Sequence, residues 1–483
     1  MKPLSAAAAA LALLSVGCSV GPKYQRPTVQ TPTAYKEQPP EAYKESREWK
    51  SGQPADTLLR GDWWVLFGDP DLNALEAQVD VSNQNLKAAQ ARFDQARALI
   101  RVNQSQKYPT VTAGAGISSN RDSSTYALAS PKTSHNFGNF SLPFDVNYEV
   151  DAWGRVRHSI ASARNEAQAT AADLETLRLS FHAELAWDYF ELRSADAEQK
   201  LLDDTVTDYQ KALELTTNRF EGGLAAGAEV AQAQTQLEAT KTQDADVAVR
   251  RAQYEHAIAV LTGKNPSELS LAPKPLAEEP PVIPVGLPSQ LLERRPDVAA
   301  AERRVSEANE NVGIAHAAFF PQILLGAALG LEGQSIADWF NWPSRFWAVG
   351  PSVLQTVFDG GRRRASQQAT EFNYDATVAA YRETTLDAFQ QVEDNLAALR
   401  VLEKETQSQK AAVAAAERSL ELSTNRYTGG LVTYLEVVTA QSVALANERT
   451  AVDIRRRRMD ASVLLIKALG GGWDTTKLPK LSD

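Results

Sequence analysis

Of the side chains that most often hold metals or carry redox chemistry, 483 residues supply one cysteine, two methionines and five histidines. A lone Cys18 rules out any disulfide within the chain. The histidines, His135, His158, His182, His256 and His316, are scattered without ligand spacing. There is no Walker-type phosphate loop, no nucleophile elbow and no paired Cys-Cys, so the residues point to no enzyme, no metal and no cofactor. An excess of positive charge is missing as well. The net charge is −10, which argues against a nucleic-acid surface and therefore against a nucleic-acid partner. No run of about 20 apolar residues occurs, which excludes a bundle of membrane-spanning helices. It does not exclude a β-barrel, whose strands need only ~9–11 residues of alternating character.

Proline is absent from two very long stretches, 144–265 and 352–478. It is the strongest helix breaker, at roughly 3 kcal/mol in a helix interior, so both stretches read as helical. Each is interrupted once, by matching sequence. Leu213 to Leu224 reads Leu-Glu-Leu-Thr-Thr-Asn-Arg-Phe-Glu-Gly-Gly-Leu, and Leu420 to Leu431 reads Leu-Glu-Leu-Ser-Thr-Asn-Arg-Tyr-Thr-Gly-Gly-Leu. Nine of the twelve positions are identical at an offset of 207, and Glu229, Val230, Ala233 and Gln234 recur as Glu436, Val437, Ala440 and Gln441. The chain is an internal duplication of two helical hairpins, each turning at a Gly-Gly pair. A helix from Arg155 to Asn218 would be about 95 Å long at ~1.5 Å per residue, far more than a globular domain needs.

The start reads as a targeting segment, 1–17: Lys2 is the positive charge, Leu4 to Val16 the apolar core, and Gly17 a small residue before Cys18. A cysteine in that place is expected to be the lipidated N-terminus, although Ser15 stands where a lipobox usually has leucine. Residues 18–70 then form a Pro- and Lys/Glu-rich arm that leads into Trp63, Trp64 and Phe67. Repeat 1, 71–265, opens with a helix entered at Asp69-Pro70-Asp71 and running to about Lys107, where Tyr108-Pro109 ends it. A β-hairpin at 110–150 follows, then a long helix at 155–220, a tip at 219–228 and a return helix at 229–262. Residues 266–288 hold seven prolines and read as a stiff bridge. Repeat 2, 289–469, has a helix at 297–320, a β-hairpin at 322–358 with a return strand from about Phe346 to Phe358, a long helix at 362–427, a tip at 426–434 and a helix at 434–469. A tail, 470–483, closes the chain.

The strands carry the membrane argument. From Asn139 to Val150 the even positions are Phe140, Leu142, Phe144, Val146, Tyr148 and Val150, and the odd ones Asn139, Ser141, Pro143, Asp145, Asn147 and Glu149. The long helices lead away from this pair and leave its apolar face uncovered, so that face is expected to meet lipid. The opposite face then puts Asp145, Asn147 and Glu149 in a barrel lumen. Four strands per chain cannot close a barrel, for which about eight is the practical minimum, and open edges do not persist in lipid. Several copies must share one barrel.

The stretches Cys18-Ser-Val-Gly-Pro-Lys-Tyr-Gln-Arg-Pro27, Trp63-Trp-Val-Leu-Phe-Gly-Asp-Pro70, Leu291-Leu-Glu-Arg-Arg-Pro-Asp-Val298, Val349-Gly-Pro-Ser352, Phe358-Asp-Gly-Gly361 and Leu469-Gly-Gly-Gly-Trp473 resemble the TolC-like outer membrane factors, in the NodT-type lipoprotein branch. The resemblance implies a mainly α fold with membrane β. It implies a homotrimer whose twelve-stranded barrel, four strands per chain, stands on a long α-helical periplasmic barrel girdled by a mixed equatorial domain. It implies a passive exit duct of a multidrug efflux system, partnered by a periplasmic adaptor, an inner-membrane RND-type transporter and outer-membrane lipid. The tips would contact the adaptor through Arg219, Gly222, Gly223 and Leu224, and through Arg426, Gly429, Gly430 and Leu431. Relatives often close the periplasmic end with an aspartate just past the second tip. Here Val432, Thr433 and Tyr434 stand there, with Glu436 the nearest acid, so either that acidic ring is absent or Tyr434 and Leu431 close the pore sterically. The open alternatives are a duct for protein secretion or metal ions, and a periplasmic coiled-coil structural or adaptor lipoprotein.

Overall fold

A computed structural model describes residues 20–40, 61–121, 136–276, 279–285 and 288–481. Cys18 and the targeting segment lie outside the described residues. Two helices of equal length dominate: α3 (Arg155–Glu221) and α6 (Arg362–Thr428), each of 67 residues, or about 100 Å at ~1.5 Å per residue. Each turns into a 35-residue partner, α4 (Gly227–Leu261) after α3 and α7 (Tyr434–Ala468) after α6. Their other ends carry the sheet. No described helix is long and apolar enough to cross a membrane.

The sheet is antiparallel, in the order β1–β3–β4–β5, with β2 beside β1 along the same edge of β3. Its strands are β1 (Thr110–Ala113), β2 (Gly116–Arg121), β3 (Asn136–Val150), β4 (Gln322–Gly333) and β5 (Arg345–Leu354). β1 and β2 are one strand broken opposite Pro143, where the ladder lacks a donor and Gly114 N–H bonds instead to Pro143 C=O at 3.0 Å. Register fixes the faces. Phe144 pairs with Leu329 and Leu329 with Trp347, while Tyr148 pairs with Leu325. The even residues of β3 therefore share a face with the odd residues of β4 and β5. Leu329, Trp347, Val349 and Val353 on that face are 51–76% exposed, an apolar surface that nothing among the described residues covers. β5 ends at Leu354, short of the expected Phe358.

The helix expected from Pro70 to Lys107 is two: α1 (Pro70–Ser82) and α2 (Gln84–Gln104). Asn83 breaks the run because its side chain does better as a cap. Its Oδ1 accepts from Asn85 N–H at 2.9 Å and Leu86 N–H at 3.1 Å, and its Nδ2 donates to Leu261 C=O at 3.0 Å at the end of α4. In the second half α5 (Pro296–Ala317) is the counterpart of α2.

The main core lies midway, where α1, α3, α6 and α7 meet around Trp63, Phe67, Leu72, Phe190, Val392, Leu396 and Ile466. The proline-rich segment is no bare bridge, since Leu276, Ile283 and Val285 are buried in that core. Charges hold its rim: Arg455 donates to Leu276 C=O, Arg456 pairs with Glu191 and Asp460, Arg457 with Glu405 and Arg458 with Glu279. The N-terminal arm runs outside α5 and α6. Val20 N–H bonds to Trp153 C=O at 3.1 Å just past β3, Tyr24 bonds to Glu302, and Glu393 accepts from Lys36 N–H and Glu37 N–H at 2.7 and 2.8 Å.

Candidate functional site

The free ends of the hairpins are built the same way twice. Gly223 and Gly430 adopt φ of +70° and +74°, a region closed to most side chains. Around them Gly223 N–H bonds to Phe220 C=O and Leu224 N–H to Arg219 C=O, at 2.9 and 2.7 Å. In the second copy Gly430 N–H bonds to Tyr427 C=O and Leu431 N–H to Arg426 C=O, both at 2.9 Å. This pair of bonds satisfies the last carbonyls of a helix. It also pushes the following leucines outward, Leu224 to 73% and Leu431 to 76% exposure. Gly222 and Gly429 keep φ near −78° and −75° and serve as the C-caps.

The two tips then diverge. Tyr427 leans from hairpin 2 into hairpin 1, among Ala233, Ala212 and Leu213, and donates its hydroxyl to Glu229 Oε2 at 3.2 Å. The Arg219 guanidinium lies 4.7 Å over its ring and donates to Thr428 C=O at 3.3 Å. Arg426, the counterpart of Arg219, bonds within its own hairpin to Glu436 Oε1 at 2.6 Å. Burial, with the neighbouring Tyr427 and Tyr209 hydroxyls, pushes the Tyr434 phenol up to about 12. Burial likewise raises Tyr427.

Tyr434 needs correction as a pore-closing residue. It is 2% exposed, its ring 5.3 Å from that of Tyr427 within the cluster of Ala233 and Val437, so it cannot also project into a channel. Thr433 is the N-cap of α7, and Leu431 alone of that group presents an exposed apolar side chain. Glu436 is half-buried and engaged by Arg426. At the sheet, Asp145 and Asn147 share the polar face with Ala328 and Gly326. Glu149, expected as a lumen acid, is clasped by Arg155 through two bonds of 2.8 Å at the start of α3, so its charge is neutralised locally.

Tyr427 and Phe220 escape any reading that seeks identity between the tips. They fill one of the three positions at which the tip copies differ, and that difference is the signal by which the sequence marks them.

A family model described as "Outer membrane efflux protein" matches residues 70–264 and 287–471. The chain belongs to this outer membrane efflux protein family. Among relatives, the toluene efflux pump outer membrane protein TtgF of Pseudomonas putida is 31% identical over 472 residues, 96% of each chain. Among solved structures, the outer-membrane channel OprN superposes with a TM-score of 0.85 at 28% identity, over 94% of this chain and all of that one. The open state of the MtrE outer membrane channel of Neisseria gonorrhoeae gives 0.80 at 27% identity, over 94% and 98%. This protein is accordingly an outer-membrane channel component of an efflux system, with a large periplasmic portion made of the long helices.

Proposed function

We propose that three copies form one exit duct, a twelve-stranded barrel continued by a helical conduit, which carries small apolar molecules outward once a periplasmic adaptor and an inner-membrane RND-type transporter engage the tips. The observation that carries this is the sheet: one apolar exposed face, one face mainly of small and polar residues, and, among the described residues, two unpaired edges at β1/β2 and β5. Such edges in lipid must pair with other copies. The helices agree. Exposed Ala88, Ala91, Leu99 and Val102 on α2, and exposed Ala365, Phe372, Ala376, Ala379 and Leu386 on α6, leave a coiled-coil stripe on each flank of the chain.

The toluene pump relative supports cargo of that class, and the scarcity of methionine favours it over metal ions. Cys18 supplies a lipid anchor two residues before Val20, which is fastened just past the foot of β3. The tip residues from Arg219 to Leu224 and from Arg426 to Leu431 meet the adaptor, and parting of the two hairpins opens the periplasmic end. Asp145 and Asn147 line the lumen. Light scattering of the detergent-solubilised protein, followed by conductance in planar bilayers, tests the reading. Three copies per particle and discrete channel events are expected. A particle of one-copy mass, or no conductance even with tip bonds removed, would overturn it.

A further inference from the structure

The seat that hairpin 1 offers to Tyr427 has a twin on hairpin 2 that this chain leaves open. The floor of the occupied seat is Ala212, Thr216, Glu229 and Ala233. At an offset of 207 these become Ser419, Ser423, Glu436 and Ala440. Those four line an open groove of about 480 Å³ between α6 and α7, together with Thr433 and Val443. The same offset carries the occupant Tyr427 back to Phe220, which is 48% exposed. Phe220 is also less restrained than its counterpart, because the position of Tyr434 is taken by Gly227 and, among the described residues, no second ring stacks on it.

We infer that Phe220 of one copy fills the groove between α6 and α7 of the next, so that the contact joining the two hairpins within a chain is repeated between chains around the periplasmic rim. This rests on the shared-barrel reading above and adds which residue meets which. Repetition also brings Arg426 over the incoming ring, as Arg219 lies over Tyr427. The two contacts are not equal. Within a chain the ring carries a hydroxyl bonded to Glu229, whereas between chains it is a phenyl, and Glu436 is left to Arg426. The seam between copies therefore lacks the tyrosine–glutamate bond, which makes it the first to part.

Cysteine pairs read this directly. Oxidation of Phe220→Cys/Ala440→Cys, with Phe220→Cys/Ser423→Cys as a second pair, is expected to yield covalent dimers and trimers on non-reducing gels. Tyr427→Cys/Ala233→Cys should yield only internally linked monomer, and single-cysteine variants should show no ladder. Intact three-copy particles without intermolecular links in either pair would overturn the inference and leave the duct reading standing. One-copy particles would overturn both.

Discussion

Tyr427 and Glu229, 198 residues apart in sequence, are joined at 3.2 Å and tie the free ends of the two hairpins together. The phenol donates to a carboxylate, so replacing it leaves the acid without that donor. Tyr427→Phe should weaken the closed arrangement by roughly 1 kcal/mol, about fivefold in the closed-to-open ratio. Glu229→Gln should do less, and the double variant should be no worse than Tyr427→Phe alone. Open probability in planar bilayers checks this, and an unchanged value in Tyr427→Phe would count against hairpin parting as the gate.

At the turn itself, Gly430→Val forces a β-branched side chain into φ of +74° with open space around it. The strain is local and exposed, so assembly should be unaffected while tip shape, and with it adaptor engagement, suffers. Arg426→Glu opposes Glu436 with like charge. Both variants should lower drug tolerance in cells with normal yields of assembled particle. Wild-type tolerance would remove the tips from the contact surface.

The sheet faces predict opposite outcomes for similar changes. Leu329→Arg on the apolar face should cost about 2–4 kcal/mol near the bilayer centre and cut the folded, membrane-inserted fraction sharply. Asp145→Lys on the polar face should leave insertion intact and shift ion selectivity toward anions. Equal insertion defects in the two would mean the faces are assigned wrongly.

A pH dependence resides in the main core. His182, stacked on Trp64 at 4.4 Å, bonds to Glu76 at 2.6 Å and faces Asp80 at 3.4 Å. Burial alone would lower the imidazole, but the bonds to Asp80 and Glu76 outweigh it and push it up to about 9. Burial pushes Glu76 up to about 7 against the pull of His182. Both groups hold protons more tightly folded than unfolded. The histidine's contribution is complete below about 6.5 and lost as pH rises through 9, and Glu76 adds a loss through 7. The melting temperature should fall by several degrees between pH 6.5 and 9, and His182→Gln should flatten that slope. A wild-type curve already flat over this range would rule the coupling out.

Much of the fold was legible because its signals are local and repeated. Absence of proline marks the helices, Gly-Gly marks the turns, and period two from Phe140 to Val150 marks the lipid-facing strand. The break at Asn83 was not legible, since asparagine within a helical run looks merely neutral until its side chain finds Asn85 and Leu86. The charge clamps were hidden for another reason. Glu76 and His182 stand 106 residues apart, and no periodicity within either segment announces the partner. Tyr434 shows a third kind of failure: a tyrosine beside a turn fits a pore or a core equally well by composition, and only packing against Tyr427 decides.

Equal length in α3 and α6 brings one further consequence. Seven residues deleted from one of them alone would retract its turn by about 10 Å and leave the other protruding. Neither Tyr427 nor Phe220 could then reach its seat. Shortening or lengthening of this protein is therefore tolerable only in lockstep across all four limbs of the two hairpins, so its reach into the periplasm behaves as a single inherited dimension.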